Sequence, residues 1–112
     1  MLDGAARIED VVKAAADDGQ PAIAITDHGV MYGVVDFVKA AHKHGIKPII
    51  GMEGYFTDGS RLDRPVGDAN KRFNMNIFAE NETGYRNHLQ LSTEANREGD
   101  TCKRRDCAKI CW

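Results

Sequence analysis

An α/β fold with parallel strands and flanking helices is predicted from three observations. The first is the run Ala22-Ile23-Ala24-Ile25-Thr26, which stops abruptly in Asp27-His28-Gly29. The second is a run of similar design, Lys47-Pro48-Ile49-Ile50-Gly51-Met52-Glu53, apolar and then ending in a carboxylate. The third is the segment between them, which has helical periodicity and the length of a crossover. Two strands joined by such a return run parallel, because an antiparallel pair needs only a tight turn. Asp27, His28 and Glu53 then fall at the carboxyl ends of neighbouring strands, the edge on which α/β folds place their active sites.

The elements follow in order. Ile8, Val11, Val12 and Ala15 recur with helical spacing and predict an amphipathic helix over 7–18. Gly19 suits the position after its last turn, and Pro21 blocks continuation. Asp3 precedes this helix and, on spacing alone, reads as a cap or a carboxylate favoured by the helix dipole. Residues 22–26 form the first strand, and Gly29 permits a sharp turn. A second helix is expected over 31–44, with Val34, Phe37, Val38 and Ala41 as its apolar stripe and Gly45 as its stop. His42 and His44 near its C-terminus need no role beyond solvated capping.

The second strand covers 47–52, with Gly54-Tyr55-Phe56 as a candidate extension. Residues 57–71 lack periodicity and are rich in Gly, Pro, Asp and Arg, which predicts a long loop. A third strand is expected over 75–79 and a third helix over 82–95, with Tyr85, Leu89 and His88 candidates to face inward. After Asn96 the periodicity stops. The division expected is a domain over 1–96 and a disordered tail over 97–112 that carries Cys102, Cys107, Cys111 and the basic run Lys103-Arg104-Arg105.

Composition bounds the function. The 112 residues suffice for one small domain, and the net charge of −2 supplies no general basic field for nucleic acid or a membrane surface. No apolar run approaches the roughly 20 residues of a membrane span, and no segment reads as a signal peptide, so a cytoplasmic protein is expected. Three cysteines without a secretory signal do not suggest a disulfide framework, and their spacing is not the paired C-x-x-C of a zinc ribbon. A Gly-rich phosphate loop is missing too, because Gly51-x-x-Gly54 lacks the following Lys and Ser/Thr.

What remains is the acid–imidazole constellation. Carboxylate oxygen and imidazole nitrogen suit zinc, manganese or iron. Ions held this way acidify water and clamp the oxygens of a phosphate ester. The plainer reading is a salt-bridged Asp-His at a strand end and an unrelated surface Glu.

Four ordered stretches carry a resemblance: Leu2-Asp3-Gly4-Ala5, Ala22 to Gly29, Gly45 to Glu53, and Ala79-x-Asn81-x-Thr83-Gly84-Tyr85-x-Asn87. Together they resemble the PHP (polymerase and histidinol phosphatase) domain, in the form found at the N-terminus of bacterial DNA polymerase III alpha subunits. The resemblance covers about residues 2–96. It implies a distorted (β/α) barrel, here partial, with up to three metal ions at the strand ends. In some members of the family that cluster runs a 3′→5′ exonuclease, and in others it is degenerate. By position, His28 resembles a metal ligand, Glu53 a bridging carboxylate and Asp3 an acidic ligand, while Asp27 resembles a partner that orients the site.

The chain also departs from the family. A His-x-His pair belongs just before Leu2 and has no counterpart in this sequence. Asn74 occupies a usual His ligand position, and His88 stands where the family tends to have Leu. Further Cys and Asp-x-His ligands belong beyond residue 112. A divalent ion, zinc or manganese, is therefore expected to bind this chain weakly or not at all, and no nuclease activity is expected from it alone. The reading is a fragment of a replicative DNA-directed DNA polymerase that meets primer-template DNA and other replicase subunits through the full-length parent. Open strand edges raise the prospect of self-association. The alternatives are a free-standing phosphoesterase of the histidinol-phosphatase kind and a non-catalytic structural remnant.

Overall fold

The structure, a computed structural model, describes residues 6–57, 72–98 and 109–110. Its elements are α1 (Ile8–Asp17), β1 (Ala22–His28), α2 (Val34–His44), β2 (Lys47–Thr57), β3 (Arg72–Phe78), α3 (Glu82–Glu98) and β4 (Lys109–Ile110). The strands form one sheet in the order β1-β2-β3, with β4 also paired to β2. β1 and β2 are parallel, as the crossover requires. β3 departs from the expectation of parallel strands: it runs antiparallel to β2, from Gly51↔Phe78 to Thr57↔Arg72. The sheet is therefore mixed.

The chain divides into two compact units. The first comprises residues up to Ile25 together with Tyr32–Ile50, and so holds α1, the body of β1, α2 and the start of β2. Its core is Val12, Ala15, Phe37, Ala40, Ala41 and Ile46, with Ile8, Ile23, Ile25 and Ile50 packed against it. The helical stripes read from the sequence supply most of these side chains.

Both helices of this unit end in the same way. Gly19 and Gly45 take positive φ, 75° and 68°. The amide one residue further on then donates back across the last turn, Gln20 N to Ala15 O and Ile46 N to Ala41 O, each at 3.0 Å. This closure satisfies helix carbonyls that would otherwise be unpaired, and glycine is the residue that reaches the left-handed conformation cheaply. It also turns Ile46 into the core, where only 5% of its surface is exposed. Lys47 N then donates to Pro21 O at 3.0 Å and sets β2 beside the start of β1. On the surface of the unit, Glu9 of α1 accepts from Lys43 at 2.5 Å and pairs with the ring of His44 at 2.9 Å. His44 is therefore more than the solvated cap expected of it, because it ties α2 to α1.

The second unit comprises Thr26–Met31 and the residues from Gly51 onward. Met52 is fully buried, and His88 and Ala95 of α3 are buried with it, at 4% and 8% exposure. Leu89, expected to face inward, is 42% exposed, while Tyr85 is half-buried. Helix α3 turns His88 and Ala95 inward, and that face passes Leu89 by.

Element boundaries moved in both directions: α1 and α2 are shorter than expected, at Ile8–Asp17 and Val34–His44, and other elements are longer. β1 continues through Asp27 and His28, β3 begins at Arg72 instead of 75, and α3 runs through Glu98, which includes two residues assigned above to the tail. Lys109–Ile110 pairs in parallel with Tyr55–Phe56. Asp3, Cys102, Cys107, Cys111, Lys103 to Arg105 and, beyond Thr57, the predicted 57–71 loop lie outside the described residues. Among the described residues no helix is long and apolar enough to cross a membrane.

Candidate metal-binding site at the strand ends

The second unit carries the carboxyl end of β1 and the middle of β2. His28 is the last residue of β1, and the next residue, Gly29, leaves the strand at φ 62°. A side chain at that angle is strained, so glycine is required where the strand breaks. Gly29 N donates to Glu53 O at 2.8 Å, which joins the main chains of the two strands beside the residues of interest. His28 Nδ1 then lies 3.7 Å from Glu53 Oε2. The imidazole side chain is 52% exposed and the carboxylate 23%, so the pair is open to solvent on one side and walled on the other.

The second oxygen of Glu53 is also engaged. Asn74 of β3 donates from Nδ2 to Glu53 Oε1 at 2.9 Å. The antiparallel register explains this contact. Glu53 sits opposite Asn76 and Tyr55 opposite Asn74, so Asn74 is a diagonal neighbour on the Glu53 face. Phe78, on that face too, lies over Gly51: a Cβ at Gly51 would come within 2.7 Å of the Phe78 ring and 2.8 Å of Ile77 O. Gly51 is therefore fixed by close packing and not by a phosphate.

Of the residues singled out from the sequence, His28, Glu53 and Asn74 come together. Asp27 precedes His28 in the same strand, and the pleat sends consecutive side chains to opposite faces, so the two do not share one. Asp27 is half-buried. Among the described residues no group of three or more His, Cys, Asp or Glu side chains is placed to hold an ion. One imidazole and one carboxylate have the right donor chemistry for a divalent ion but are fewer than the four to six donors such ions take.

Two features escaped the sequence reading. Gly29 O accepts from Ser92 Oγ at 3.1 Å and Asn96 Nδ2 at 3.2 Å, both on α3. The signal was present as polar residues four apart on one helix face, beside the buried Ala95. The other is what His88, an expected inward-facing residue, does there: its ring nitrogens lie 2.8 Å from Gly84 O and 3.0 Å from Ile77 O. It bridges α3 to β3.

Comparison with known proteins gives the family. The PHP domain profile matches residues 1–110, and the chain belongs to the PHP domain family. The alpha subunit of DNA polymerase III from Aquifex aeolicus is 42% identical over 105 residues, 88% of this chain and 9% of that protein. The Treponema pallidum subunit is 44% identical over 100 residues, 88% of this chain and 8% of that protein. The Mycobacterium tuberculosis subunit is 40% identical over 116 residues, 92% of this chain and 10% of that protein. The chain thus spans about a tenth of the length of these relatives. In fold, it is similar to a Bifidobacterium adolescentis protein assigned as a metal-dependent phosphoesterase. That likeness has a TM-score of 0.55 and 18% identity, and covers 98% of this chain and 37% of the other.

Proposed function

We propose that this chain is part of the PHP domain of a replicative DNA polymerase alpha subunit, carrying a remnant of a metal site that is not catalytically competent alone. The observation that carries this reading is the His28–Glu53 pair at 3.7 Å, with the Asn74 amide on the other carboxylate oxygen. Identity of 40–44% to alpha subunits favours the polymerase branch over a free-standing phosphoesterase.

His28 and Glu53 would hold a divalent ion, zinc or manganese, with Asp3 as a further acidic ligand, while Asp27, on the other face of β1, would act on the site only through the strand backbone. When bound, the ion supplies Lewis-acid chemistry to a phosphate ester. Glu53 supplies charge and its Oε2 oxygen. His28 would supply an imidazole nitrogen from a strand end joined to β2 by the Gly29–Glu53 backbone bond. Asn74 orients the carboxylate by donating to Oε1. With so few donors, affinity is low and no 3′→5′ exonuclease activity accompanies it. The longer parent protein, cytoplasmic in this reading, meets primer-template DNA and other replicase subunits. Exposed Phe73 and Met75 on β3 supply apolar surface for self-association of the isolated chain.

Two measurements test this reading: titration of the purified 112-residue chain with Mn2+ or Zn2+, and a primer-degradation assay. Weak binding lost in His28→Ala and Glu53→Ala, with no degradation, is the expected result. A metal-dependent exonuclease rate that disappears in those two variants would overturn it.

A further inference from the structure

Helix α3 reaches the strand-end pair through one peptide carbonyl. Gly29 follows His28 directly, is buried, and is hydrogen-bonded on both sides. Its amide donates to Glu53 O at 2.8 Å. Its carbonyl receives Ser92 Oγ at 3.1 Å and Asn96 Nδ2 at 3.2 Å. A carbonyl oxygen has two lone pairs, and here each meets a side-chain donor. The donors are themselves held. Asn96 Nδ2 also lies 2.7 Å from Ser92 O, and Ala95 between them is buried in the unit's core.

We propose that Ser92 and Asn96 are positioning residues for the His28–Glu53 pair. They hold the Gly29 peptide, and through it the angle at which β1 delivers His28 beside Glu53. This rests on the metal-site reading above but is carried by a separate observation, the double acceptance at Gly29 O. The His28 side chain is 52% exposed, and Gly29 is the residue through which the chain leaves β1 directly after it. Without the two donors, Gly29 keeps, among the described residues, its bond to Glu53 O, and its positive-φ turn is freer to relax. Outer partners that orient ligands typically change metal affinity by about 10- to 100-fold when removed. The lower end applies here, because neither donor touches the imidazole itself.

The test compares the wild-type chain with the double variant Ser92→Ala/Asn96→Ala, each single variant, and Ser92→Thr, which keeps a hydroxyl donor. Three quantities are read: melting temperature, amide hydrogen exchange at Gly29, and Mn2+ affinity by titration calorimetry. The expected result is that Gly29 exchange rises and Mn2+ affinity falls about tenfold in the double variant. Each single variant shows a smaller effect, and Ser92→Thr matches the wild type. If the double variant does not fold, the single variants and Ser92→Thr carry the same comparison. Unchanged Gly29 exchange and unchanged affinity in a folded variant overturn the proposal. So does exchange that rises uniformly along α3, β2 and β3, because that marks lost stability and not lost positioning. If the wild type binds no Mn2+, the metal-site reading fails by itself. The positioning claim then stands or falls on whether the nuclear Overhauser contact between the His28 ring and Glu53 is lost in the double variant.

Discussion

The amide of Asn74 occupies Glu53 Oε1 at 2.9 Å, on the carboxylate whose other oxygen faces His28. An amide nitrogen donates and cannot ligate a cation, so this contact orients Glu53 without adding a donor to the pair. Asn74→His replaces it with an imidazole at a diagonal cross-strand position, within reach of the same ion. The expected outcome is a gain of roughly tenfold in Zn2+ or Mn2+ affinity, since a third good donor moves the set toward the four that zinc takes. Calorimetric titration checks it. No gain would mean that the β3 side chain is too far from the pair to share an ion.

Glu9 gives a prediction in pH. Its carboxyl is held below the ordinary value of 4.5, first by the hydrogen bond from Lys43 and then by that with His44. A carboxylate whose folded-state value is lowered stabilises the fold above its unfolded value and loses that contribution as pH falls through the folded one. The melting temperature of the chain should therefore fall further in wild type than in Glu9→Gln as pH drops below about 4.5. The site is on the surface, so the difference is small and shrinks with added salt. A wild-type advantage over Glu9→Gln that stays undiminished well below that pH would contradict the assignment.

The hydrophobic cluster of the first unit predicts a larger effect. Phe37 is 3% exposed and packs in the cluster with Val12 and Ala41, which are fully buried. Phe37→Ala removes a large buried side chain and leaves a cavity, at a cost of about 3–5 kcal/mol. For a small domain this is a large part of the total stability. Denaturant unfolding should show a lower midpoint, and Val35→Ala, at a 58% exposed position two residues away, should show almost none.

These cases show which parts of the molecule could be read in advance. Ile8, Val12 and Ala15, and Phe37 and Ala41, follow helical spacing, so their burial was visible in the letters. The meeting of β1's carboxyl end with Glu53 was visible because each apolar run stops at a ligand-type residue, but β2 does not end there: it runs on through Thr57, which places Glu53 inside the strand. The antiparallel course of β3 was not visible, because Asn74, Met75 and Asn76 show no apolar alternation and strand direction depends on the connection. Nor was the use made of Gly29. A carbonyl that takes two donors from α3, over sixty residues later, is a tertiary fact with no local signature. Asp27 shows the limit of adjacency: next to His28 in sequence, it lies on the other face of the strand.

His88 tests whether a buried polar residue is needed where the helix meets the sheet. Its ring lies between Gly84 O and Ile77 O and is 4% exposed. Among the described residues it forms no ion pair, so its contribution is packing plus hydrogen bonding to these carbonyls. A hydrogen bond from the ring, about 0.5–1.5 kcal/mol, is at stake together with the volume of the ring. His88→Ala loses both and should cost about 2–4 kcal/mol. His88→Leu restores most of the volume and trades the bond for apolar burial, and should lie within about 1 kcal/mol of wild type. Equilibrium unfolding of the two variants separates the contributions. If Leu were as damaging as Ala, the bridge between α3 and β3 would be the dominant role of His88, and filling the space would be secondary.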